Sequence, residues 1–229
     1  MLKIKICGIT NVFDAQKALM LSADYMGFNN IKGTKRFMDV ADIVEIVNRV
    51  PESLRDKCVL LAREQDIMDI VKLAKSMGIT AIQPYIPEDS HTNVDAYFKK
   101  ARDLGMKVFR VIHIENKRSL MEMKIDLESA DYFILDTKST KDPTAMGGTG
   151  EAFDWYLYNC AKEILPESRM CLAGGLNIDN IEEALEETST GIIDLCTGLE
   201  EMPGLKNHEK MDAFFEKIKT IQNISSSAA

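Results

Sequence analysis

Eight short apolar runs punctuate the chain: KIKIC, DYMGF, KCVLLA, AIQPY, KVFRVIHI, DYFILD, MCLAG and IIDLC. They recur at intervals of roughly 20–30 residues, and helix-period segments lie between them. Ile67, Ile70, Val71 and Ala74 form one apolar stripe, and Met211, Phe214, Phe215 and Ile218 form another with the same spacing. Ile178, Ile181, Ala184 and Leu185 make a third. Asp66 and Asn177 stand where two of these helices need an N-cap, and Gly78 and Gly105 stand where helices should stop. Runs of this kind read as strands buried on both faces of a parallel sheet. Such a sheet either opens into a doubly wound layer or closes on itself. No G-x-G-x-x-G follows the first run, so the open sheet lacks its dinucleotide fingerprint. Eight strand–helix units therefore predict an α/β fold of the (β/α)8 TIM barrel type. It would occupy residues 1–223 as one domain, with the ISSSAA tail at 224–229 disordered.

The bulk properties narrow the function. With 229 residues, 45% hydrophobic and 28% charged, the chain has ample material for a core. A net charge of −8 argues against a nucleic-acid partner, which needs clustered Lys and Arg. No apolar run approaches a membrane span, and Lys3 and Lys5 interrupt any N-terminal signal region, so a cytoplasmic protein is expected. Cys7, Cys58, Cys160, Cys171 and Cys196 are scattered, as are His91, His113 and His208, with no metal-ligand spacing among them.

In a barrel of this type, chemistry belongs at the C-terminal strand ends. Strand alternation puts Lys5 and Cys7 on the axis face of the first strand, with Ile4 and Ile6 outward. An inward lysine needs a counter-ion, and Asp194 on the adjoining eighth strand is the expected one. Such a cation beneath Cys7 would favour its thiolate. Asp136 ends the sixth strand at the same rim, where a thiol and a carboxyl could share acid–base work. The plain alternative is a buried cysteine and a helix-capping aspartate. Glycines cluster at MGGTG (Gly147, Gly148, Gly150), AGGL (Gly174, Gly175) and CTGLE (Gly198, beside Thr197). Each is a tight turn or a backbone cradle for an anion, and the last two fall after strands 7 and 8, where this fold binds phosphate. Arg36, after strand 2, is either a solvated loop charge or an anchor for a substrate carboxylate. Cys58, Cys160, Cys171 and Cys196 are assigned to structure, His113 to the core, and NIEEALEE to a solvated helix face.

These stretches together resemble the phosphoribosylanthranilate isomerase family over nearly the whole chain. The resemblance rests on KICGIT, ADYMGF, KRF, ADYFILDT, GGTGEAFDW, LAGGLNIDNI and GLEEMPGLKN. It implies a cofactor-free, metal-free Amadori rearrangement of a phosphorylated sugar by a monomer or homodimer. Asp136 would be the general acid and Cys7 the general base. Arg36 would hold the anthranilate carboxylate, and Gly148, Gly174, Gly175, Thr197 and Gly198 the phosphate. The chain departs from the family's usual QLHG at strand 4, reading QPYIPED with Pro84 and Tyr85. That departure leaves open a paralogue acting on another sugar phosphate, or a barrel that binds a phosphorylated ligand without converting it.

Overall fold

The computed structural model describes residues 2–87, 93–137 and 154–227. All eight expected runs are strands: β1 Lys3–Cys7, β2 Tyr25–Asn29, β3 Cys58–Arg63, β4 Ala81–Tyr85, β5 Lys107–Ile114, β6 Tyr132–Thr137, β7 Met170–Leu172 and β8 Ile192–Leu195. They pair in parallel and in chain order, and β8 returns to β1 to close the barrel. The helices α1 Val12–Met20, α2 Val40–Arg49, α3 Ile67–Ser76, α4 Val94–Asp103, α5 Lys117–Glu122, α6 Trp155–Ala161, α7 Ile181–Thr188 and α8 His208–Ser227 follow in alternation.

Strand alternation divides the core into two layers. Ile4, Ile6, Leu60, Ile82 and Leu135 face outward and pack on the apolar stripes of the helices. Tyr25, Val59, Leu61, Phe109, Ile134 and Cys171 fill the barrel interior, with Cys7 and Tyr85 against them. The stripes on α3 and α8 are buried as their spacing requires, while Glu182, Glu183, Glu186 and Glu187 on α7 are exposed. Asp66 caps α3 by accepting from the Met68 amide, and Gly78 and Gly105 end α3 and α4 at φ +72 and +82. The β4–β5 ladder stops at Ile82↔Val108, short of Pro84, which has no N–H to extend it.

Two expectations need correction. Asn177 is not the cap of α7. Its side chain accepts from the Asp179 amide in a turn before the helix, which starts after Asn180. A short polar side chain satisfies a turn as readily as a helix end. The tail expected from residue 224 is helical as far as Ser227, since a nucleated helix extends at little further cost. An unforeseen hairpin, β9 Glu200–Met202 with β10 Leu205–Lys206, follows β8 and folds over the rim.

Candidate active site

The barrel floor is an ion pair. Lys5 and Asp194 are direct partners in the β1–β8 ladder, and Lys5 Nζ donates to Asp194 Oδ2 at 2.8 Å. The lysine is fully buried. Burial alone would lower its pKa, but the Asp194 carboxylate and Cys7 outweigh it and hold the ammonium above its usual value. Burial pushes Asp194 up to about 7, with Lys5 opposing and Cys7 assisting.

Above this pair a cavity opens at the C-terminal ends of the strands. Cys7, Arg36, Gln83, Tyr85, Asp136 and Asp194 line it, with Gly174, Gly175, Cys196 and Thr197 at its β7–β8 side. The thiol and carboxyl on β1 and β6 thus share one pocket. The Cys7 thiol is held well below its ordinary value, first by the neighbouring Cys196 thiol and then by the charges of Lys5 and Lys206, against burial. Two glycines make room here. A Cβ on Gly27 would stand 2.9 Å from Cys7 Sγ, and one on Gly8 would stand 2.5 Å from Arg36 Cδ.

Arg36 is neither solvated nor free. Its Nε and Nη2 donate to the two oxygens of Glu200 at 2.7 and 2.6 Å. Glu200 is 6% exposed and also accepts from Lys206 Nζ at 3.1 Å and the Gly204 amide at 3.3 Å. One edge of the guanidinium fork is thereby committed, leaving Nη1 as the nitrogen outside the Glu200 pair. The cluster of Arg36, Lys206 and Glu200 carries one net positive charge, so it still attracts a carboxylate.

Gly174 and Gly175 adopt φ +86 and +62 at the end of β7, a conformation that turns successive amides toward a common point. The backbone amides of Gly174, Gly175 and Thr197 donate to no acceptor among the described residues. Gly198 does not line the cavity. It packs where a Cβ would lie 2.1 Å from the Leu176 carbonyl oxygen, clamping the β7–α7 loop against the turn after β8. Gly148 and its neighbours, like His91, lie outside the described residues. His113 pairs with Asp136 in the β5–β6 ladder, is half-buried and is not among the cavity residues.

Sequence reasoning missed Glu200, Lys206, Cys196, Gln83, Gly8 and Gly27 as parts of this site. The one local signal was the GLEEMPGLKN stretch, which entered only as part of the family resemblance and gave its carboxylates and lysine no role. Cys58, Cys160 and Cys171 are buried as expected, and burial pushes Cys58 up to about 12. Cys196 is not merely structural: it lines the cavity beside Cys7. Gln83 Nε2 donates to the Tyr85 hydroxyl at 2.8 Å, so Tyr85 is fixed into the wall. Among the described residues no three His, Cys, Asp or Glu side chains are grouped to hold a metal ion.

A closed eight-stranded barrel with a thiol, a carboxyl and paired positive-φ glycines around one rim cavity has the layout of a (β/α)8-barrel enzyme. Comparison with known proteins specifies which. The family model described as N-(5'-phosphoribosyl)anthranilate (PRA) isomerase matches residues 4–217. The N-(5'-phosphoribosyl)anthranilate isomerase of a Geobacter species is 31% identical over 96% of this chain and all of its own. That of Allorhizobium ampelinum is 29% identical over 94% of this chain and 92% of its own. The phosphoribosyl anthranilate isomerase structure from Thermotoga maritima is similar at a TM-score of 0.75 with 25% identity, covering 96% of this chain and all of that one. The chain belongs to the N-(5'-phosphoribosyl)anthranilate isomerase family and is an isomerase of tryptophan biosynthesis.

Proposed function

We propose that Asp136 and Cys7 are the acid and base of this isomerisation, which converts N-(5'-phosphoribosyl)anthranilate to 1-(2-carboxyphenylamino)-1-deoxyribulose 5-phosphate. The Asp136 carboxyl protonates the furanose oxygen as the C1′–O bond breaks, and the amine nitrogen supplies the electron pair for the Schiff base. The Cys7 thiolate then removes the C2′ proton, giving an enolamine that tautomerises to the ketone. The observation that carries this reading is the shared cavity: groups from β1 and β6 face one space whose far side holds the paired glycines. Arg36 receives the anthranilate carboxylate beside its Glu200 pair. Gly174, Gly175 and Thr197 bind the phosphate through their amides, Gly198 keeps their loops together, and Gly148, outside the described residues, is a further phosphate-binding residue. A single barrel domain acts as a monomer or homodimer in the cytoplasm. A Thermotoga maritima relative is described as dimeric, and no helix among the described residues is long and apolar enough to cross a membrane.

The test is turnover of N-(5'-phosphoribosyl)anthranilate by the purified protein and by Cys7→Ala and Asp136→Ala. Each substitution should lower kcat by about 10²–10⁴-fold. Binding of the reduced product analogue, the ligand named for one solved relative, should persist. Background turnover by the unsubstituted protein would reject the substrate, and unchanged kcat in either variant would remove that residue from the mechanism.

A further inference from the structure

No residue of the β9–β10 hairpin lines the cavity, yet the hairpin carries a buried pair of opposite charges. Lys206 Nζ lies 3.1 Å from Glu200 Oε1, and the two side chains are 0% and 4% exposed. Lys206 Nζ also donates to the Cys196 carbonyl oxygen at 3.1 Å and stands 3.8 Å from the Cys196 sulfur. The Lys206 backbone amide donates to the buried Asp14 carboxylate at 2.9 Å. The Thr10 hydroxyl donates to the Gly204 carbonyl. These bonds pin the hairpin to the loop and helix that follow β1.

Glu200 passes that fixed position on to Arg36. Its Oε1 accepts from both Lys206 Nζ and Arg36 Nε, and its Oε2 accepts from Arg36 Nη2. The arginine stem lies across Gly8, where a Cβ would stand 2.5 Å from Cδ. Charge gives the lysine its purpose. A bidentate Arg–Glu pair is neutral and holds little attraction for a second carboxylate. The Arg36 and Glu200 side chains are 10% and 4% exposed, so water and salt screen these charges weakly. Burial opposes ionisation of Glu200, but the Arg36 and Lys206 bonds outweigh it and hold the carboxyl below its usual range. The buried ammonium offsets that carboxylate and leaves the positive charge of Arg36 to act in the cavity, which the guanidinium lines.

We propose that Lys206 is a positioning residue for carboxylate recognition: acting through Glu200, it fixes the Arg36 fork and keeps its charge available to the ligand. The proposal rests on Arg36 being the carboxylate anchor.

Isothermal titration calorimetry with two ligands tests it: the reduced product analogue, and its counterpart lacking the ring carboxylate. Lys206→Met removes the ammonium, and Lys206→Gln keeps an N–H donor without the charge. Both variants should bind the carboxylated ligand about 10–100-fold more weakly and the other ligand within about threefold of the unsubstituted protein. In the double variant Lys206→Met with Glu200→Gln, no carboxylate remains to neutralise Arg36. The carboxylated ligand should therefore bind it more tightly than it binds Lys206→Met. A lysine needed only for structure would lower both affinities together and gain nothing from the second substitution. Equal losses for the two ligands, full recovery by Lys206→Gln, or a double variant no tighter than Lys206→Met would overturn the assignment. Should Lys206→Met fail to fold, Lys206→Gln, alone and combined with Glu200→Gln, carries the same comparison. Arg36→Met separates this inference from the reading beneath it. If that variant loses both ligands equally, Arg36 is not the carboxylate anchor and both proposals fall. If it loses only the carboxylated ligand while Lys206→Met loses neither, the role of Lys206 alone is refuted.

Discussion

Replacing Asp194 by Asn is a sharp test of the barrel floor. It leaves the Lys5 ammonium with no carboxylate at 2.8 Å and no exposure to water. Breaking a buried pair from one side costs about 3–5 kcal/mol, because the surviving charge is uncompensated. For a domain of this size each kcal/mol lowers Tm by roughly 2–4 °C, so Asp194→Asn should melt about 6–20 °C earlier. The reverse change, Lys5→Met, should cost less. Asp194 already sits at about 7, and without Lys5 it neutralises itself by keeping a proton, at a cost of order 1–3 kcal/mol for its imperfect hydrogen bonding. Lys5 escapes less readily: without Asp194, burial lowers its pKa, but the fall starts from an ordinary value far above neutral and Cys7 opposes it. The two variants also differ in pH dependence. In Lys5→Met the folded-state pKa of Asp194 stands far above its unfolded value, so the fold binds that proton more tightly. Its stability is therefore full at low pH and is lost as pH rises through 7 and above. Melting followed by circular dichroism between pH 6 and 9 reads both effects. The double variant should recover most of the Asp194→Asn loss, since no buried charge remains. If Lys5→Met proves as damaging as Asp194→Asn at pH 7.5, where the unsubstituted Asp194 is mostly ionised, the reasoning about which partner can discharge itself is wrong.

Three further outcomes are expected. Glu200→Gln should raise KM for the carboxylated substrate about tenfold with kcat nearly unchanged, and should leave binding of a product analogue lacking the ring carboxylate unaltered; equal losses for both ligands would show that Glu200 does not act through Arg36. Gly198→Ala should weaken inhibition by inorganic phosphate and lower Tm, because its Cβ would stand 2.1 Å from the Leu176 carbonyl oxygen and force the two loops apart. Unchanged phosphate inhibition would separate that contact from the anion site. At pH 7.5 iodoacetamide should label Cys7, whose thiol lies below the usual value, and leave Cys58 and Cys171, which burial pushes up, unmodified in the folded protein. Peptide mapping that finds Cys58 labelled as fast as Cys7 would contradict the electrostatics of the rim.

Local pattern was enough to specify the barrel and the inward row of its first strand. Apolar runs of period two, separated by stripes of period 3.6, can bury both sets only by alternating strand and helix. The same alternation put Lys5 beneath Cys7 and aimed Asp136 at the same rim. Barrel closure then joined β1 to β8, so the Lys5–Asp194 pair was readable although the partners lie 189 residues apart. Strand register carries over long distances because it repeats along the chain. Loop paths do not repeat. Arg36 meets Glu200 across 164 residues only because the β9–β10 hairpin folds back over the rim. Gly8, Gly27 and Gly198 owe their identity to atoms brought near by other segments. Cys196 illustrates the division most plainly: β8 ends one residue before it at Leu195, so strand alternation no longer governs its side chain. The backbone that follows brings the sulfur to the cavity that Cys7 also lines, 3.8 Å from Lys206 Nζ, through packing among distant loops that no local period encodes.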